Sequence, residues 1–317
     1  MLKLVPRAVA GLTLTLLCFI AIGGLMSAAS QPPARGQMID IGGRSLHVVC
    51  LGPTGGGPVV VMEAGAFGLS ADWGAVQARL AAKGIRSCAY DRAGLGRSDP
   101  GPDPRDGHAV AADFEAMLAA SGEPGPYIYV GHSMAGLYAR LFAGRNPDQV
   151  AGLVLIDAAT PAAADIPMAS KWIGRFATAS RVAGWGASIG LFKPVSPWMG
   201  DRIGLPPEAA RDKRRAFASG AHNRWAAREV EQWMAASKQA GALPPFDPSL
   251  PVAVVTAGPE AGREQWKAVQ TAPARASARG YVRHVDGAGH ATLLGEGFAD
   301  EIVKAVLFVR GDSAATQ

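Results

Sequence analysis

The chain is predicted to be an α/β protein built on one mostly parallel, eight-stranded sheet with helices on both faces. Three observations carry this expectation. From about residue 38 to 310, short apolar runs alternate with segments of helical periodicity, the pattern of βαβ units. Runs such as Val59-Val60-Val61-Met62 and Val154-Leu155-Ile156 are apolar without interruption, as strands covered on both faces must be. The alternation stops after Thr160 and resumes at Pro251. The residues between therefore read as an insertion after the sixth strand of one sheet, not as a second domain.

In chain order, residues 1–30 come first and differ from the rest. Lys3 and Arg7 precede an uncharged stretch from Ala8 to Met26, followed by the small residues Ser27, Ala28, Ala29 and Ser30. A basic flank, an apolar stretch and a small-residue site make an export signal. The stretch is also long enough to span a bilayer, so a signal peptide and a retained N-terminal membrane anchor both fit. With the basic end inside, either places the folded domain outside the cytoplasm, periplasmic, secreted or anchored. Residues 31–36 form a Pro-containing polar linker.

The core is expected over 37–160 and 246–310. Met38–Ile41 and Leu46–Leu51 flank Gly42-Gly43 and read as a hairpin. Strands follow at Pro58–Met62, Ile85–Tyr90, Tyr127–Val130, Val150–Ile156, Pro251–Thr256 and Tyr281–Val285. Helices are expected at Ala71–Ala82, around Val110–Leu118, at Met134–Gly144, around Trp266–Val269, and to Val309 at the end. Residues 161–245 carry no strand run and hold five of the seven tryptophans, Trp172, Trp185, Trp198, Trp225 and Trp233. They are expected to form a helical cap over the sheet's carboxyl edge, and residues 311–317 a disordered tail.

Composition removes several function classes. Hydrophobic residues make up 49% and charged residues 18%, which supports a sizeable core. The net charge of +5 is scattered, and Lys213-Arg214-Arg215 is the one short basic run. It reads as a solvated helix face, and without aromatic–basic interleaving no nucleic-acid partner is expected. Cys18, Cys50 and Cys88 are the only cysteines, and no Cys/His spacing of a zinc site is present. No metal or cofactor is implied.

The chemistry concentrates in Gly131-His132-Ser133-Met134-Ala135-Gly136, directly after an apolar strand and before a helical pattern. A serine there sits on a sharp strand-to-helix turn with its hydroxyl at the sheet's carboxyl edge. The N–H of Met134, at the helix N-terminus, points where an oxyanion would form. This segment resembles the nucleophile elbow of the α/β-hydrolase superfamily, and the chain from about 38 to 310 is similar to that family throughout. One departure stands out: the usual second glycine of G-x-S-x-G is Ala135, with glycine following at 136.

The resemblance implies the remaining roles. Ala64-Gly65-Ala66-Phe67-Gly68 matches the family's oxyanion loop, with Ala66 as donor through its backbone and Ala64 where a histidine is usual. Glu63, at the end of the strand before it, receives no role. In the family the general base lies in a Gly-His loop after the last strand, which points to His290. Of the other histidines, His47 falls in a strand, His132 in the elbow, and His108 and His222 on helices or their flanks. His284 is the one rival. The orienting acid is Asp157, after the sixth strand as in one group of haloalkane dehalogenases, or Glu260, after the next strand as in most of the family; Asp157 is favoured. Asp91-Arg92-Ala93-Gly94-Leu95-Gly96 resembles a family turn that supports the elbow. The family's strand order places Cys50 beside Cys88, so a disulfide and two free thiols both remain open.

The resemblance implies a serine hydrolase cleaving an ester or related acyl bond of a small, apolar substrate through Ser133, Asp157 and His290. A serine rather than an aspartate at the elbow argues against a dehalogenase or an epoxide hydrolase. Aminopeptidases of the prolyl iminopeptidase type and carbon–carbon bond hydrolases use the same triad. From another class, a catalytically silent envelope binding protein would share the fold.

Overall fold

The computed structural model describes residues 4–29, 35–196 and 201–312. The N-terminal stretch forms helix α1, Leu4–Ala29, with Leu12, Leu16 and Ile22 exposed along it. Among the described residues no helix is long and apolar enough to cross a membrane. Most of the expected linker, the expected tail beyond Asp312, and Trp198 lie outside the described residues.

The core opens with a hairpin of β1 (Gln37–Asp40) and β2 (Ser45–Leu51). Its turn forms because the Asp40 carboxylate accepts the N–H groups of Gly42 and Gly43 at 2.8 and 3.0 Å, an Asx-type closure. Then come β3 (Val60–Glu63), α2 (Gly74–Ala82), β4 (Ser87–Tyr90) and α3 (Gly107–Ser121). The first helix starts later than expected because Ser70–Trp73 form a 3₁₀ turn. Helix α3 begins where the Asp106 carboxylate accepts the Ala109 N–H, and ends at Gly122 in the left-handed region. Next are β5 (Tyr127–His132), α4 (Ala135–Arg145) and β6 (Val150–Ile156). The chain then leaves the sheet through α5 (Pro167–Ser188), α6 (Pro207–Ala218), α7 (Gly220–Glu231) and α8 (Trp233–Gly241). It returns with β7 (Val252–Ala257), α9 (Glu264–Ala276), β8 (Gly280–Val285) and α10 (Ala299–Arg310).

The eight strands form one sheet in the order β1-β2-β4-β3-β5-β6-β7-β8. β2 runs antiparallel to β1 and to β4, and the other pairs are parallel. Strand alternation divides the core between the two faces. Val60, Met62, Ile128 and Val130 pack with Trp73, Leu80 and Ile302 of the α2 and α10 side. Val59, Val61, Tyr129 and Leu153 pack with Phe114 and Phe142 of α3 and α4. Cys50 and Cys88 are register partners across β2 and β4 and are joined as a disulfide.

Candidate active site

Strand order fixes where a site can form. β4 lies on one side of β3 and β5 on the other, so the chain leaves β3 and β5 in opposite directions and opens a crevice at their carboxyl ends. Ser133 follows the last residue of β5 and adopts φ 55°, a conformation costing a non-glycine residue about 1–3 kcal/mol. The fold holds it there from three sides. Ser133 N–H donates to the Ile156 carbonyl at 3.0 Å, and the Ser133 carbonyl accepts from Gly136 at 3.0 Å and Ala159 at 2.8 Å. The departure at residue 135 now has a reason. A Cβ on Gly136 would lie 2.3 Å from the Ala159 carbonyl oxygen, so the close approach falls one residue later, and Ala135 is simply buried.

Two further non-glycine residues of positive φ border the same crevice, Asp157 at 41° and Phe67 at 57°. Asp157 immediately follows β6, and its N–H donates to the Val255 carbonyl at 2.7 Å. His290 lies after β8 on the loop leading to α10. Its Nε2 stands 2.9 Å from Ser133 Oγ and its Nδ1 2.6 Å from Asp157 Oδ2. The second carboxylate oxygen of Asp157 accepts from Gln270 Nε2 at 3.0 Å and from the Ala257 N–H at 3.4 Å. Burial works to raise the Asp157 pKa, but the hydrogen bond and charge of His290 with these amide donors hold it below the ordinary carboxylate value. A neutral His290 carrying its proton on Nδ1 donates to Asp157 and leaves Nε2 as an acceptor for the serine hydroxyl.

His132 packs its ring 4.6 Å from that of His290, with Nε2 3.0 Å from the His290 carbonyl. Burial, then the neighbouring His290, push its pKa down to about 3. It stays neutral and donates to that carbonyl, steadying the histidine loop. Glu260 is not brought to His290. It is 46% exposed, 3.6 Å from Arg275 and 3.8 Å from His284, which itself bonds Thr256 at 2.6 Å.

The loop after β3 forms the opposite wall. A Cβ on Gly65 would lie 2.6 Å from Ser133 Cβ, so only glycine permits this approach. Neither the Ala66 nor the Met134 N–H is spent on a hydrogen bond of the surrounding turns. Side chains hold the loop by its carbonyls instead. The guanidinium of Arg92 donates to Ala64 O and to Gly65 O, the latter at 2.9 Å, and is itself clamped by Glu229 of α7 at 2.8–3.1 Å. Lys213 of α6 donates to Phe67 O at 3.0 Å and pairs with Asp72 at 2.7 Å.

The expectation that Lys213 lies on a solvated face is thereby corrected. The signal lay in its spacing, because Ala209, Ala210 and Ala216 on the same side of α6 are buried. Arg92, which the sequence places only in a supporting turn, grips the loop after β3 directly. Glu63 gains a place as well: it accepts from Tyr90 Oη at 2.7 Å and from Tyr129 Oη, and lies 3.7 Å from Arg92.

Of the cap tryptophans, Trp172 and Trp233 reach this wall. Phe176 of α5 sits 6.2 Å from Phe67, stacked on Trp172 at 5.1 Å and edge-on to Trp233 at 6.3 Å. Trp225 packs with Arg228 at 4.4 Å, and Trp185 is exposed.

Comparison with known proteins agrees with this architecture. A family model described as alpha/beta hydrolase fold matches residues 58–181. A putative carbamate hydrolase of Variovorax paradoxus is 35% identical over 116 residues, covering 36% of this chain and 42% of that protein. The chain spans less than half the length of the curated relatives it matches. Among solved structures, a thermophilic esterase from Thermogutta terrifontis superposes with TM-score 0.62 at 21% identity, covering 87% of this chain and 100% of that one. The Cif epoxide hydrolase from Acinetobacter nosocomialis gives TM-score 0.70 at 16% identity, covering 90% and 96%. At these identities the superpositions speak for the fold alone. With the eight-stranded sheet, the turn at Ser133 after β5 and the family model matched over residues 58–181, the chain has the α/β-hydrolase fold.

Proposed function

We propose that the protein is a serine hydrolase that cleaves an ester or related acyl bond of a small apolar substrate. The observation that carries this reading is the chain of contacts from Ser133 Oγ to His290 Nε2 at 2.9 Å and from His290 Nδ1 to Asp157 at 2.6 Å. His290 takes the hydroxyl proton as Ser133 Oγ attacks the acyl carbon. The imidazolium that forms faces an ionised Asp157, which also fixes the tautomer. The N–H groups of Met134 and Ala66 receive the oxyanion, each worth about 3 kcal/mol in comparable sites. His290 then protonates the leaving group, and water activated by the same histidine releases the acid from Ser133. An aspartate elbow would attack an epoxide or haloalkane carbon directly, whereas the serine here needs the base beside it. The apolar wall of Phe67, Phe176, Trp172 and Trp233 favours an apolar acyl group.

The placement we infer is outside the cytoplasm. The basic-flanked N-terminal stretch supports it, and so does the Cys50–Cys88 disulfide, a bond that persists in oxidising compartments.

A fluorophosphonate probe should label the wild-type chain and not Ser133→Ala. Esters of graded acyl length, assayed beside aminoacyl amides, then identify the bond. Ser133→Ala turnover above about a hundredth of wild type would mean another nucleophile, since loss of a triad serine removes far more.

A further inference from the structure

The cap carries an apolar surface that the chemistry above does not use. Outside α1, eleven large hydrophobic side chains are exposed among the described residues, and seven of them fall between Met168 and Val195. Met168 is 81% exposed, Val182 63% and Trp185 67%. So dense a cluster on a folded domain marks an interaction surface. On α5 the outward positions are Met168, Trp172, Val182 and Trp185, while Ile173, Ser180, Gly184 and Ala187 are buried.

The charges on this segment all have one sign. From Ile166 to Ser196 there is no Asp or Glu, whereas Lys171, Arg175, Arg181 and Lys193 are all present and all exposed. Among the described residues only Arg181 of these four has a carboxylate within reach, Glu231 at 3.9 Å. Apolar and indole groups interleaved with exposed cations, on a segment that carries no acid, match the chemistry of an anionic headgroup layer over acyl chains. α1 meets the same surface at Gly190, where an added Cβ would lie 3.6 Å from Ile20 Cγ2. On the other side, Trp172 stacks on Phe176, and Phe176 adjoins Phe67 of the loop beside Ser133.

We propose that the α5 face of the cap docks on an anionic lipid bilayer and that apolar substrate passes from the bilayer along Trp172, Phe176 and Phe67 towards Ser133. Docking requires no turnover, so it stands or falls separately from the serine-hydrolase reading.

The full-length chain is floated with vesicles of phosphatidylcholine alone and of phosphatidylcholine with phosphatidylglycerol. The wild type should bind the anionic vesicles, and Ser133→Ala should bind as the wild type does. The double variant V182E/W185E should bind at least about tenfold more weakly. The triple variant K171Q/R175Q/R181Q should lose the preference for anionic vesicles, by about fivefold per cation removed. Brominated lipid should quench wild-type tryptophan emission, and Trp185→Phe should lose much of that quenching. All substituted positions are exposed, and matching thermal melts check folding; were V182E/W185E to misfold, the triple variant and the quenching would decide. Equal vesicle binding by the wild type and both multiple variants would overturn the proposal and assign attachment to α1. A dimer in light scattering that V182E/W185E dissociates, without vesicle binding, would overturn it in favour of an interface between copies.

Discussion

Glu63→Gln should raise stability at pH 8 and flatten its dependence on pH. Two buried carboxylates, Glu63 and Glu229, share the one guanidinium of Arg92. Glu229 holds it at 2.8–3.1 Å, while Glu63 lies 3.7 Å away and depends on Tyr90 and Tyr129. Desolvation of Glu63 is therefore only partly offset, and its pKa rises from 4.5 to about 7. A carboxyl whose folded pKa lies above its unfolded value keeps its proton in the native state between the two. Below pH 4.5 it is protonated in both states and costs nothing. Above pH 7 the native state must bury the charge. Each pH unit separating the folded and unfolded values costs about 1.4 kcal/mol, hence about 3 kcal/mol in all.

Stability from this group is thus lost as pH rises from 4.5 to 7, opposite in sign to a salt-bridged aspartate. Glutamine keeps the size and one acceptor, and a tyrosine hydroxyl can turn to accept from the new amide. Urea denaturation of wild type and Glu63→Gln at pH 4.5 and pH 8 measures the effect. The difference in unfolding free energy should move by about 3 kcal/mol in favour of the variant between the two pH values. Curves that stay parallel would mean that Arg92 and the tyrosines compensate the charge fully, and would refute the reasoning.

Asp157→Asn should lower kcat by up to about 10⁴ by favouring the wrong His290 tautomer, while Glu260→Gln should stay within about twofold because Glu260 sits among exposed charges; steady-state kinetics near neutral pH on one good substrate separates them. Lys213→Met should lower kcat about tenfold with little change in KM, since it frees the Phe67 carbonyl and loosens an oxyanion donor rather than a substrate contact. Lys213→Arg should recover part of that loss, and a raised KM with unchanged kcat would place Lys213 in substrate binding instead.

Local signals made the sheet and the elbow legible. Uninterrupted apolar runs marked β3, β5, β6 and β7, and the small residues after β5 marked the turn at Ser133. His290 and Asp157 were legible only by chain order, because residues 133, 157 and 290 meet through parallel strands whose register no local pattern carries. The grip on the loop after β3 was harder still. Arg92 and Lys213 are cations, and a cation in a sequence reads as solvated. What draws them in is a partner from a distant segment: Glu229 is 137 residues beyond Arg92, and Phe67 is 146 residues before Lys213. Such pairing leaves a trace only where, as in α6, the charge falls among small buried residues.

The three residues of positive φ around the crevice are not held alike. Ser133 is fixed by Ile156 and Ala159, and Asp157 by Val255, all backbone groups of the sheet and its edges. Phe67 is fixed through its carbonyl by a lysine of the cap. Ser133 and Asp157 thus take their geometry from the most buried part of the molecule, where displacement is costly. The loop after β3 takes its geometry in part from α6 and α7, which pack above the sheet rather than within it. On the mechanism proposed above, a displacement of the cap that admitted substrate would also slacken Lys213 and the Arg92–Glu229 clamp, and with them the loop carrying Ala66. On the serine-hydrolase mechanism proposed above, access and oxyanion stabilisation would be coupled: the wall is best formed when the cap is seated, and a substrate filling the space beneath the cap would favour the geometry that receives its oxyanion.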